Sequence, residues 1–278
     1  MKKLSVKLSF FIGLFLTFPS AFAQYTLYEY PINQKYIEYY VSKPKLENSL
    51  LETKSVSHVG VISTQFFCQS KYCFFAELPY VYADFKYAAS NSPFIESEDN
   101  FTLGNPLLGM RKNLDSVHNM SISLSLPNVS NNNGFRTPIY GSFTRVDQLE
   151  MFLPETTSLS IDSLIKMEGS SLTPFFKIGF IGWKLDPDVT LGDEYELLNR
   201  YEIGFNVDQS LVFITAKIKG VTILTESNID LSDRNINFFT FAIKLKTLYQ
   251  PGFYFMKQLD NELDGLEYTI GIGLTSSF

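Results

Sequence analysis

A set of basic side chains recurs at alternate positions within polar rows of the chain: Arg111, Lys166, Lys177, Arg200, Lys217, Lys219, Lys244 and Lys246. Asp162, Glu202 and Glu267 share that parity within their own segments. Charges spaced by two along extended backbone fall on one face of a sheet. Around a water-filled bore such rows select ions by sign. In a narrow bore the same groups pair with one another and fill it. The surplus of lysine and arginine points to anionic solutes such as carboxylates, with mutual pairing as the competing outcome.

Hydrolytic chemistry has less to work with. Acyl transfer needs a nucleophile, a base within hydrogen-bond reach and a partner that orients the base. The sequence holds 2 histidines. His58 stands in "SVSHVGV" near Ser55 and Ser57, and His118 stands in "DSVHN". Neither lies in a G-x-S-x-G turn. A histidine in such a setting more often anchors structure than moves a proton, so lipid hydrolysis is the alternative activity. Cys68 and Cys73, in "FCQSKYCF", form a C-x4-C pair without a second pair of ligands. That is half a metal site, whereas an oxidising compartment turns it into a disulfide that staples a turn. No metal and no cofactor is expected.

The elements that carry these residues are strands. "NMSISLSL" alternates Met120, Ile122, Leu124 and Leu126 with Asn119, Ser121, Ser123 and Ser125. "LEYTIGIGLTSSF" does the same from Leu266 to Phe278, and no long 3.6-residue period competes after residue 55. The pattern predicts about twelve strands, the even count typical of a membrane barrel. They fall near residues 35–42, 55–67, 72–84, 103–113, 118–127, 157–167, 174–184, 196–207, 210–224, 236–246, 252–258 and 266–278.

The chain opens on "MKKLSVKLSFFIGLFLTFPSAFAQ", a basic start, a short apolar run and a small-x-small ending at Ala21-Phe22-Ala23. That is the layout of a cleavable export signal over residues 1–23, followed by one domain over 24–278. The formal net charge of −6 becomes more negative once Lys2, Lys3 and Lys7 leave, so no basic face is left to hold nucleic acid.

Connections supply an independent test of what the strands build. Counted back from the C-terminus, one set is short: "CQSKYC", "DSVH", "EGSSLTP", "VDQS" and "YQPG". The alternate set is longer and acidic, and includes "KYAASNSPFIESEDN" and a long segment over residues 128–155. Short periplasmic turns and longer outside loops are the habit of outer-membrane barrels. In hydrocarbon a sheet must leave no free edge, which closure into a barrel achieves. Tyr249, Tyr254, Tyr268 and Trp183 are candidates for the interfacial aromatic girdles, with ordinary aromatic packing as the equal alternative. The fold expected is all-β: a closed, antiparallel, up-and-down transmembrane β-barrel in a bacterial outer membrane, in contact with its lipid and lipopolysaccharide.

The terminal strand ending in Phe278 resembles the C-terminal signal by which the barrel-assembly machinery recognises bacterial outer-membrane proteins. The stretches "AELPYVYADF" (76–85), "LGNPLLGMRKNL" (103–114), "SISLSLPNVS" (121–130) and "GFIGWKLDPDVTLGDEYELLNRYEIGF" (179–205) resemble the outer-membrane channels grouped under the phenol-degradation meta-pathway name. This sequence carries Asn105 where that family usually has aspartate. The resemblance implies a transporter-like barrel. The expected function is therefore a channel for small solutes, anionic or aromatic carboxylates among them. An outer-membrane lipid hydrolase, or a structural or adhesive barrel, is the alternative. The lumen residues expected to line the path are Arg111, Lys166, Lys177, Arg200, Glu202, Lys217, Lys219, Lys244 and Glu267.

Overall fold

The computed structural model describes residues 36–46, 56–67, 72–88, 95–114, 117–129, 146–167, 171–184, 195–225, 235–260 and 266–277. The expected leader, Cys68 and Phe278 lie outside them. The strands are β1 (Tyr36–Leu46), β2 (Val56–Phe66), β3 (Tyr72–Ala88), β4 (Ile95–Leu103), β5 (Leu107–Asn113), β6 (His118–Ser125) and β7 (Thr157–Lys166). They continue as β8 (Leu172–Lys184), β9 (Tyr195–Asp208), β10 (Val212–Ile223), β11 (Asn235–Leu245), β12 (Gly252–Gln258) and β13 (Leu266–Ser277). Each pairs antiparallel with its neighbours, β1 pairs with β13 at the closing seam, and the β2–β3 pairing completes the ring.

The sheet counts 13 strands, yet the barrel has 12 staves. Both β4 and β5 pair with β3, β4 along its outer half (Tyr80↔Leu103 to Ala88↔Ile95) and β5 along its inner half (Tyr72↔Lys112 to Glu77↔Leu107). They are one stave interrupted at residues 104–106. The sequence pattern found its inner half and assigned 95–100 to an outer loop, so Glu96, Glu98 and Asp99 sit on a strand instead. Alternation failed there because Ser97 and Asp99 interrupt the row that ends in the outward Phe101 and Leu103.

Elsewhere the two-residue period translates directly into two faces. On β6, Met120, Ile122 and Leu124 are each 39% exposed while Ser125 is 0% exposed. The exposed row is apolar because it meets lipid, and the buried row is small and polar because it faces the lumen. No described helix is long and apolar enough to cross a membrane. Crossing falls to the strands, whose backbone groups are paired around the ring.

Aromatic side chains collect at both ends of the outward face. Phe66 stacks on Phe74 with centroids 6.2 Å apart at the short-turn end, beside an exposed Tyr72. Toward the long-loop end Tyr39 Oη meets His58 Nδ1 at 2.5 Å, and His58 lies 5.5 Å from the Tyr82 ring. Tyr268 joins the outward face against Phe255. Two expected girdle residues turn the other way: Tyr254 and Trp183 are buried in the lumen. Tyr254 lies over Gly271, and Tyr40 of β1 over Gly273, with the two rings edge to face at 5.6 Å. The glycines of the closing strand therefore seat tyrosine rings instead of leaving the wall low.

Candidate functional site

The interior is crossed by the long connection between β6 and β7. A short 3-10 segment, Val146–Met151, runs inside the barrel with residues 152–156. On one side Met151 and Phe152 pack against Val59, Phe75, Val81 and Leu107 of β2, β3 and β5. On the other, Leu149 and Leu153 pack against Ile181, Trp183, Leu198 and Val221 of β8, β9 and β10. Met151 and Phe152 are 0% and 1% exposed, so the segment is a core element and not a surface loop.

One anchor is the break in the stave. Asn105, 0% exposed, donates through Nδ2 to the carbonyls of Glu150 (2.9 Å) and Leu153 (2.7 Å). Its Oδ1 accepts from the backbone N–H groups of Asn128 (2.8 Å) and Val129 (3.0 Å), and its own N–H donates to the Met151 carbonyl. Gly104 makes room: a Cβ there would sit 2.4 Å from the Met151 carbonyl oxygen. An edge that lost its neighbouring strand recovers partners from the inserted segment, as buried backbone groups require.

The second anchor is ionic. Arg200 of β9 clasps Asp162 of β7 with Nε and Nη2 and reaches Glu150 of the inserted segment with Nη1 at 2.9 Å. A planar guanidinium suits this forked recognition of two carboxylates. Burial pushes the Glu150 carboxyl up, and Arg200 pulls it back. One row along, Lys177 and Lys217 both pair with Glu202, and Lys177 lies 3.9 Å from Asp162.

The clasp crosses a strand. Asp162 and Arg200 are each register partners of Gly179 on β8, which separates them. A Cβ on Gly179 would lie 2.1 Å from Asp162 Oδ1, an atom that Arg200 holds in place. Gly179→Ala is expected to cost about 1–3 kcal/mol through overpacking. The measurement is the temperature at which the folded barrel loses its fast gel mobility, and an unchanged midpoint counts against the crossing.

Of the residues expected to line the path, Lys177, Arg200, Glu202 and Lys217 come together in this cluster with Asp162. Lys219, buried beside Glu202 in register, borders it. Lys244 lies apart at the seam, with Nζ 3.1 Å from Thr275 Oγ1. Arg111, its guanidinium 5.6 Å from the Phe75 ring centroid, and Lys166 sit near the short-turn ends of β5 and β7. Glu267 is on β13, but its side chain lies outside the described residues. Lys246 pairs with Asp208 beyond the strand end.

Alternation missed the buried acids Glu38, Glu77 and Glu150. With Asp162 and Glu202 they reduce the basic surplus of the lumen that the sequence suggested. Glu38 had a usable signal, standing in parity with Tyr40 and Ser42 in "YIEYYVS". Glu77 did not, because its inward row includes Phe75 and Val81, which pack on the inserted segment.

His58 separates from Ser57, and Ser55 lies outside the described residues. His58 faces outward to Tyr39, whereas Ser57 is buried on the inward row. His118 Nε2 lies 2.9 Å from Ser163 Oγ at the short-turn end, away from the outer leaflet. Cys73 is buried at the start of β3.

A closed ring, an apolar outward belt and a polar interior crossed by the inserted segment define a transmembrane β-barrel of the bacterial outer membrane. Solved barrels share the fold. An outer-membrane channel from Pseudomonas putida F1 superposes with a TM-score of 0.58 at 8% identity, covering 92% of this chain and all of that one (100%). The β-domain of the Bordetella autotransporter BrkA gives 0.51 at 10% identity, covering 89% and 100%. The translocator domain of the autotransporter NalP from Neisseria meningitidis gives 0.50 at 9% identity, covering 91% of each. No family model and no curated protein sequence matches the chain.

Proposed function

We propose that the protein is a constricted channel for small solutes, with the inserted segment as its constriction. The observation that carries this reading is the double anchorage of residues 146–156, through Asn105 on one wall and Arg200 on the other. A structural or adhesive barrel has no need to bring an outer loop down to its ion-pair row. A channel does, because a loop across the bore sets size and access.

Most charge at the constriction is internally compensated, so selectivity falls to the groups nearer the short-turn mouth. Arg111 and Lys166 sit there with Lys244, which favours anions such as small carboxylates. In a planar bilayer with a KCl gradient, the expected reversal potential shows a modest anion preference. The double variant Arg111→Glu, Lys166→Glu is expected to abolish or invert it. Cation preference in the unaltered protein sinks the anion reading. We also assign Cys68 and Cys73 to a periplasmic staple between β2 and β3, and the C-terminal strand to recognition by the assembly machinery.

A further inference from the structure

Two buried hydrogen-bond donors face each other just above the ion-pair row, on the lumen side of the β7–β8 pair. Ser158 and Trp183 are register partners. They are 2% and 8% exposed, and neither Ser158 Oγ nor Trp183 Nε1 has a hydrogen-bond partner among the described residues. A buried polar group left in that condition costs about 1–3 kcal/mol. The indole N–H can only donate, so whatever completes the pair is an acceptor.

The surroundings restrict what that acceptor belongs to. Ile181 and Leu198 of the wall and Leu149 and Leu153 of the inserted segment form the adjoining apolar cluster. Water bridging Ser158 and Trp183 would have two polar partners there, the fewest it normally takes, against an otherwise apolar wall. The cation two rows below, Arg200, is already held by Asp162 and Glu150. We propose that Ser158 and Trp183 form a binding site for a small uncharged solute with an apolar body and one hydroxyl or carbonyl oxygen. The site lies at the long-loop end, where a solute arriving from outside meets the inserted segment. It accepts the solute's oxygen from the indole and serine donors while the leucine and isoleucine side chains cover its body. Binding here is separate from conduction, so failure of either leaves the other standing.

Trp183 is the only tryptophan of the chain, so its emission reports this site alone when excited at the red edge beyond tyrosine absorption. The mature protein in detergent is titrated with cyclohexanol, cyclohexane and cyclohexanecarboxylate, with fast gel mobility confirming the fold of each variant. The expected result is a saturable shift with cyclohexanol, a weaker one with cyclohexane and none with the carboxylate. Ser158→Ala is expected to weaken cyclohexanol binding about fivefold, the equivalent of one neutral hydrogen bond, and to leave cyclohexane unaffected. A linear, non-saturating response overturns the site, with water alone at the donors. Equal response to cyclohexanol and cyclohexane, or unchanged binding in Ser158→Ala, removes the acceptor recognition. Tight binding of the carboxylate overturns the uncharged class.

Discussion

Replacing Arg200 by methionine is expected to raise single-channel conductance severalfold and to lower the stability of the barrel sharply. Methionine keeps the length of the side chain and removes its charge, so Asp162 and Glu150 lose the fork that holds them together. Removing one partner of a buried pair typically costs about 3–5 kcal/mol, because the remaining charge is stranded in a low-dielectric interior. Here the stranded groups belong to different elements, one to the wall and one to the inserted segment. Repulsion between them acts along the direction that lifts the segment away from β7 and β9. The triple variant, with Asp162→Asn and Glu150→Gln added, is expected to recover much of the stability and to keep the raised conductance. An Arg200→Met protein with wild-type conductance and wild-type thermal midpoint refutes the ionic anchor.

The second large effect is expected at Asn105, from a change of one atom. Asn105→Asp keeps the acceptor that takes the N–H groups of Asn128 and Val129. It loses both donors to the Glu150 and Leu153 carbonyls and sets a carboxylate against those two oxygens. Two carbonyls left unpaired cost about 1–3 kcal/mol each, with charge repulsion in addition. The segment 146–156 is expected to become cleavable by protease added from outside, with bursts of higher conductance. Asn105→Ala, which removes donors and acceptor but adds no charge, is expected to be no worse than the aspartate. If the aspartate variant resists protease as the wild type does, the hub is not what seats the segment. An asparagine suits this place for a local reason: the side chain must give two protons as well as accept two.

The fold was legible because lipid imposes one rule on every strand. Met120, Ile122 and Leu124 against Ser121, Ser123 and Ser125 announce two faces without reference to any other part of the chain. The site was legible only in part. Lys177, Arg200, Glu202 and Lys217 could be assigned to the lumen from parity, since parity is local. That Arg200 meets Glu150 could not, because the partners lie 50 residues apart and one stands in an irregular segment with no period to read. The interruption at residues 104–106 was hidden for a related reason. Glycine, asparagine and proline in "LGNPLL" read as an ordinary strand start, and only the inserted segment explains why the wall opens there. Trp183 and Tyr254 stay open between girdle and core in the sequence because an aromatic near a strand end suits an interface and a packed lumen equally well; which applies depends on what lies across the bore.

The closing seam bears on the order in which the molecule comes together. Tyr36 of β1 pairs with Ser277 of β13, nearly the full length of the chain apart. The contacts that seat the inserted segment span 48 residues from Asn105 to Leu153 and 50 from Arg200 to Glu150. Loop closure becomes costlier with chain separation, and distant pairings are slow to form. The segment can therefore settle on a sheet that is still open, with its apolar side chains and its ion pair in place before the first and last strands meet. Closure then seals an interior that is already occupied, and the chain is spared threading thirty-odd residues into a finished cylinder, roughly the length of the β6–β7 connection and well beyond the usual loop.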